Sequence, residues 1–354
     1  MNPETLFSRA EAARAASRFA ASERIYRQIL ALKSLDARNR AEALLGAGDV
    51  CRLQGRFSRA LQDYARAEAL LKDRDPGRAM DASTGWALAA RAVGRAREAL
   101  PRLKKALARY SRAGDHKGRA FALWALGGTW RIAGDMKRGR NFLVQALEQY
   151  RSLGDAEGRA YAHCALGGLE RMRGDIPASA RHYRLANSAM RRRADRFGVA
   201  YSYCGLGNVE RMNGRFRPAL GLYRKAEALY KKIGDQVSYA YTLWSIGTAH
   251  KMMGGTRPAR AAFATAQRLF LKTGDTRGQV YALLGFAELE WMQGRASRAL
   301  PFWSKARALA ARHGFAWESL HVRALAGGKV DSLAASYRKA GSAFHPRSMP
   351  VNWP

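Results

Sequence analysis

Cysteine is scarce: Cys51, Cys164 and Cys204 are the only three in 354 residues. The number is odd, and Cys164 and Cys204, 40 residues apart, are more like small packed or groove residues than a disulfide framework, which suits a reducing cytoplasm. Acidic side chains are also few, 28 against 62 lysines and arginines, for a formal net charge of +34. That excess attracts acidic surfaces at long range and leaves three partner classes: an acidic protein or peptide segment, a nucleic acid, or an anionic membrane surface. No uninterrupted apolar run approaches a spanning length, so no integral membrane segment is expected. The seven histidines, His116, His163, His182, His250, His313, His321 and His345, show no ligand spacing with cysteine or acid. The glycines do not form a phosphate loop behind a strand, so no metal, no other cofactor and no catalysis is expected. Strand-like alternation is missing as well, which leaves an all-α chain.

What is present is a beat. Gly114-Asp115, Gly154-Asp155, Gly234-Asp235 and Gly274-Asp275 recur with a period of 40 residues, and Ala194-Asp195 fills the missing step. Gly94, Gly134, Gly174, Gly214, Gly254 and Gly294 keep the same period. Each unit splits at this second glycine into two segments with small or apolar residues at three- and four-residue spacing, as in "YAHCALGGLERMRGD" and "IPASARHYRLANSAM". Each unit is therefore a pair of short helices. The glycine after the first segment can end a helix in the left-handed conformation, and the Gly-Asp ends the second and supplies an N-cap for the next. The arginine-rich opening, "MNPETLFSRAEAARAASRFAASERIY", contains Glu4, Glu11 and Glu23 and lacks a secretory apolar core. It reads as a first packed helix pair and not as a targeting peptide.

The run "GLGNVERMNGRFRPALGLYRKAEAL" (205–229) resembles a tetratricopeptide repeat (TPR), with Leu206-Gly207 in the first helix, Gly214 in the turn, and Ala219, Tyr223 and Ala226 in the second. The usual TPR is 34 residues long, so the resemblance is to longer-period arrays such as those of cell-polarity adaptors, kinesin light chains and some bacterial regulators. "GDVCRLQGRFSRALQDYARAEAL" (48–70), "SRFAASERIYRQIL" (17–30) and "ELEWMQGRASRALPFWSKARAL" (288–309) carry the same pattern. The resemblance implies a right-handed superhelix of stacked antiparallel helix pairs, with first helices lining the concave face. About eight units are expected over 1–314, a degenerate helical cap over 315–342 and an irregular tail over 343–354. The tail is expected either to be disordered or to dock in a groove or on a partner.

Aligning the first helices defines a stripe of registers along the inner face. One reads Phe121, Tyr161, Tyr201, Tyr241, Tyr281; the next reads Trp124, Cys164, Cys204, Trp244, Leu284. A third reads Gly128, Gly168, Asn208, Thr248, Glu288, and a fourth Arg131, Arg171, Arg211, Lys251, Trp291. In the TPR family such positions commonly contact ligands, and Asn208 stands where the family often places an asparagine that binds peptide backbone. Two structural alternatives stay open. The tyrosines can be core residues, and Glu170, Glu210 and Glu290, one residue before the basic register, can hold it as ion-pair partners.

The expected function is a non-enzymatic adaptor or scaffold that binds an acidic protein or peptide segment in its basic, aromatic-lined groove. The rival is an RNA- or DNA-binding helical repeat using the same arginines and tyrosines, because arginine forks engage phosphates and aromatic rings stack on unpaired bases. Arg191, Arg192 and Arg193, in the densest basic run, form an alternative nucleic-acid patch.

Overall fold

A computed structural model describes residues 2–326, 333–344, 346 and 349–354. His345 and parts of the cap and tail segments lie outside the described residues. The described chain is helical, with no strand. Eight consecutive helix pairs are α1 (Pro3–Ala15) with α2 (Phe19–Leu30), α3 (Ala37–Leu53) with α4 (Phe57–Leu71), α5 (Pro76–Ala92) with α6 (Ala96–Arg112), α7 (His116–Ile132) with α8 (Met136–Ser152), α9 (Ala156–Arg173) with α10 (Ile176–Arg192), α11 (Arg196–Met212) with α12 (Phe216–Ile233), α13 (Gln236–Met252) with α14 (Thr256–Thr273), and α15 (Thr276–Met292) with α16 (Ala296–Arg312). Two shorter helices follow, α17 (Ala316–Ala326) and α18 (Ala334–Lys339).

The repeat beat has the local causes expected of it. Asp115, Asp155, Asp195 and Asp275 cap the first helices of their units, each accepting a bond from the backbone N–H three residues on. That carboxylate satisfies one of the amides a helix start leaves unpaired. The glycine before the cap takes the left-handed conformation, and where the repeat lacks it Ala194 adopts φ 53° instead, a conformation that costs a side-chain-bearing residue on the order of 1 kcal/mol.

Packing between units works by rings set into glycine notches. Phe263 of α14 lies against Gly247 of its own first helix and Gly285 of the next, where an added Cβ would stand 2.6 and 2.9 Å from the ring. Tyr183 sits against Gly167 in the same way, at 2.8 Å. One aromatic side chain thus joins three helices, and a larger residue at the notch would have to displace it.

The superhelix completes a turn and lies on itself. A Cβ at Gly55, in the turn after α3, would meet Val237 at 2.5 Å; one at Gly94 would meet Thr276 at 2.9 Å; one at Gly134 would meet Ala316 at 2.9 Å. Each partner lies roughly four and a half units downstream, which sets the number of repeats per superhelical turn. Ile233 of α12 accordingly shares a core with Tyr26 and Ile29 of α2. The turn glycines Gly214, Gly254 and Gly294 face nothing within 4 Å, because no further turn covers them.

After α18 the chain crosses the first turn, with the Ala343 amide donating to the Arg173 carbonyl at 2.8 Å and Ser342 Oγ to the Met172 carbonyl at 2.5 Å. It then enters the interior, where Val351 and Trp353 are buried at 3% and 1% exposure.

Candidate ligand groove

The basic register of the first helices lines the interior, and its members differ in what they touch. Lys251 is buried against Glu288, with Nζ donating to Oε2 at 2.6 Å and to the Val351 carbonyl at 2.7 Å. Glu288 is fully used: Oε1 accepts from the Val351 amide at 2.6 Å and Oε2 from Trp353 Nε1 at 2.9 Å. Burial lowers the Lys251 pKa, and the charge and hydrogen bond of Glu288 pull the other way.

Arg211 is also buried and spends its fork on the tail. Nη2 donates to the Trp353 carbonyl at 2.7 Å, Nη1 donates to Asn352 Oδ1, and Asn352 Nδ2 donates back to the Arg211 carbonyl at 2.8 Å. Asn208 serves this arginine: its Oδ1 accepts from Tyr223 Oη at 2.8 Å and from Arg211 Nη2 at 3.4 Å. The tail is therefore held largely through backbone carbonyls and amides by a lysine, an arginine and a glutamate projecting from α11, α13 and α15.

Farther toward the N-terminus the register has no carboxylate partner among the described residues. Arg131 has one weak contact, Nη1 to Met172 Sδ at 3.5 Å, and Arg171 Nε is buried without a hydrogen-bond partner. A residue outside the expected ladder joins them. Arg91, one period before Arg131, donates from Nη1 to the Ala125 carbonyl at 3.2 Å and lies over the Trp124 ring at 5.6 Å. Among the described residues none of Arg91, Arg131 and Arg171 has a carboxylate partner. Burial, reinforced by the Arg131 charge, pushes the Arg91 guanidinium down to about 9, and burial depresses Arg131 as well. Extending the ladder back by one period from Arg131 reaches Arg91, so this residue had a visible signal.

The glutamates offered as ladder partners bind elsewhere. Glu170 pairs with Arg140 at 2.8 Å and Arg173 at 2.6 Å, Glu210 with Arg215, and Glu290 with Arg260 and, at 2.7 Å, Arg295. A helix turns by about 100° per residue, so a residue next to the inner register points to the adjoining rim.

The aromatic register joins neighbouring repeats. Tyr161 Oη donates to Asp195 at 2.8 Å and Tyr241 Oη to Asp275 at 3.2 Å, reaching the carboxylate that caps the next first helix. Tyr281 Oη donates to Glu318 at 2.8 Å. Tyr201 makes no such bond among the described residues; burial raises its hydroxyl pKa while Arg131 and Arg171 pull it back. Trp244 Nε1 donates to the Tyr281 carbonyl at 3.1 Å, whereas Trp124 Nε1 is buried without a partner. The free edge of the aromatic stripe therefore coincides with the unpaired arginines.

The outer basic run is a different surface. Arg191 and Arg192 border an open cleft with Arg184, Asn187 and Ser188; Arg192 bonds Ser188 at 2.6 Å, and Arg193 pairs with Glu157 at 2.7 Å. His163 and His182 share a 2.9 Å contact between Nδ1 atoms, and burial pushes His163 down to about 4. Among the described residues no group of three or more His, Cys, Asp or Glu is placed to hold a metal, and no helix is long and apolar enough to cross a membrane.

No family model and no curated protein matches the chain. Solved structures do. A Rap protein complexed with Competence and Sporulation Factor superposes with a TM-score of 0.68 at 15% identity, covering 82% of this chain and 79% of that one. The Rap conjugation gene regulator of a plasmid, in complex with a Phr peptide, gives 0.65 at 13% identity over 88% and 95% of the two chains. NprR in complex with its cognate peptide NprX gives 0.63 at 14% identity over 96% and 98%. At this identity the likeness is one of fold: the chain is a TPR-like superhelix of helix pairs.

Proposed function

We propose that the chain is a non-enzymatic TPR-type adaptor whose inner face binds an acidic polypeptide segment. The carrying observation is the path of residues 351–353, which lie inside the superhelix in an arrangement a peptide ligand would adopt. Main-chain carbonyls meet Lys251 and Arg211, a main-chain amide meets Glu288, and the Trp353 ring lies against His321, tilted by 32°, at a centroid distance of 4.1 Å. Backbone bonds grip any sequence, whereas side-chain contacts select one. The likeness to Rap and NprR, both solved with peptides, supports the same use of the fold. The acidic character follows from the net charge of +34 and from inner arginines that lack carboxylate partners.

The test is fluorescence anisotropy with a labelled peptide alternating Asp and Glu, a labelled oligothymidylate of equal length, and the full chain at several salt concentrations. The expected result is tighter binding of the peptide, weakened more by Arg171→Ala with Arg211→Ala than by Arg191→Ala with Arg192→Ala. Both pairs remove two positive charges, so a difference reports position. Tighter oligothymidylate binding with a steep salt dependence would replace this reading by the nucleic-acid one. Equal losses from the two pairs would reduce it to bulk charge.

A further inference from the structure

We infer that Arg91, Arg131 and Arg171, with the notches at Gly128 and Gly168, form a station for the side-chain carboxylates of an acidic peptide. The inference rests on the peptide-binding reading and narrows it to a ligand chemistry and a place.

The molecule contains a filled copy of the station. Glu288 follows Lys251 by 37 residues and neutralises it at 2.6 Å inside the fold. At the same offset Arg91 meets Gly128 and Arg131 meets Gly168. An added Cβ at Gly128 would lie 2.6 Å from Arg91 Nη1, and one at Gly168 would lie 3.2 Å from Tyr183 Oη and 4.0 Å from Arg131 Nη1. Glycine thus stands where the filled copy has a glutamate. The cation side of each pair is kept and the anion side is deleted; Arg91 itself closes over the Gly128 notch, and Tyr183 Oη and Arg131 Nη1 face the Gly168 notch.

The deletion is costly in the absence of a ligand. A guanidinium does not give up its charge, so a half-buried one with no counterion gains from an incoming anion. Arg171 Nε, buried and without a hydrogen-bond partner, is a donor waiting for such an acceptor. Arginine forks bind carboxylates through paired, charge-assisted bonds. One feature favours a peptide over a nucleic-acid strand: the inner face already holds a polypeptide segment at Arg211 and Lys251, next to the station.

The experiment uses the full chain with Gly168→Glu and Gly168→Gln, and labelled hexaglutamate, hexaglutamine and oligothymidylate as probes. Gly168→Glu supplies from within the carboxylate that Glu288 supplies to Lys251; Gly168→Gln has the same size without the charge. The wild type is expected to bind hexaglutamate at least about tenfold more tightly than hexaglutamine, as charge-assisted bonds require. Gly168→Glu is expected to melt at a higher temperature than Gly168→Gln and to lose that preference. Equal melting of the two variants with an unchanged hexaglutamate affinity would overturn the station, and the groove reading would still stand if Arg171→Ala with Arg211→Ala abolished peptide binding. A preference for oligothymidylate that Gly168→Glu removes would assign the station to phosphates and overturn the carboxylate assignment.

Discussion

At Lys251 the inner register meets a glutamate; at Arg91 and Arg131 the equivalent place is a glycine. The two halves of the inner face share helix geometry, and they differ in whether the inner cations have a carboxylate partner among the described residues. In the C-terminal half cation, anion and tail form a closed, fully bonded set around Glu288. In the central half three guanidinia line the same face without a carboxylate among the described residues. A repeat array makes this possible because each unit depends chiefly on its neighbours. Two neighbouring units can complete an ion pair between them, as α13 and α15 do, while another pair of units presents only the cation.

The largest effect should come from breaking the filled half. Glu288→Ala removes the counterion of a buried lysine and the acceptor of two tail bonds, and should cost about 3–5 kcal/mol in chemical denaturation. The tail should become susceptible to limited proteolysis in the same variant. Next comes the contact between superhelical turns. Gly134→Ala combines a strained left-handed alanine with a clash against Ala316, for about 2–4 kcal/mol, whereas Gly214→Ala carries only the backbone strain of about 1–2 kcal/mol. Equal losses from both glycine variants would mean that the turns do not rest on each other in solution. In the central half the sign should reverse. Arg131→Met removes a half-buried charge that has no carboxylate partner among the described residues and should be neutral or stabilising by on the order of 1 kcal/mol, read as an unchanged or raised Tm. A loss of several kcal/mol would show that this arginine is satisfied internally and would erase the contrast.

The smallest expected effect is a slope with pH. Burial raises the cap carboxyls of Asp235 and Asp275 to about 6. A carboxyl raised above its unfolded value holds its proton more tightly in the folded state. Its stabilising contribution is therefore complete below about pH 4 and is lost as pH rises through 6. Asp275→Asn keeps the cap and removes one such group, so the Tm should fall less steeply between pH 4 and 6 than in the wild type.

Much of this architecture was legible in the chain. The 40-residue beat, the capping aspartates and the left-handed glycines are local matters, decided by one helix end at a time, and they lie where the pattern put them. The inner stripe was legible too, since residues three and four apart share a helix face. Arg131, Arg171, Arg211 and Lys251 stand on one register for that reason, and Arg91 was one period away from being included. Their partners were not legible. Sequence neighbours suggested Glu170, Glu210 and Glu290, yet those bind Arg140, Arg173, Arg215, Arg260 and Arg295, because a shift of one residue on a helix changes the face.

The sequence by itself determined the elements, their pairing and the face each presents, since these follow from periodicity and chain termination within a single unit. Only the tertiary structure decided what stands opposite that face. The superhelix must close on itself before Gly55 can meet Val237 or Gly134 can meet Ala316, and the tail must enter the interior before Arg211 and Trp353 become neighbours. Those encounters depend on the small rotation from one unit to the next, summed over several units, and no local pattern of residues encodes that sum.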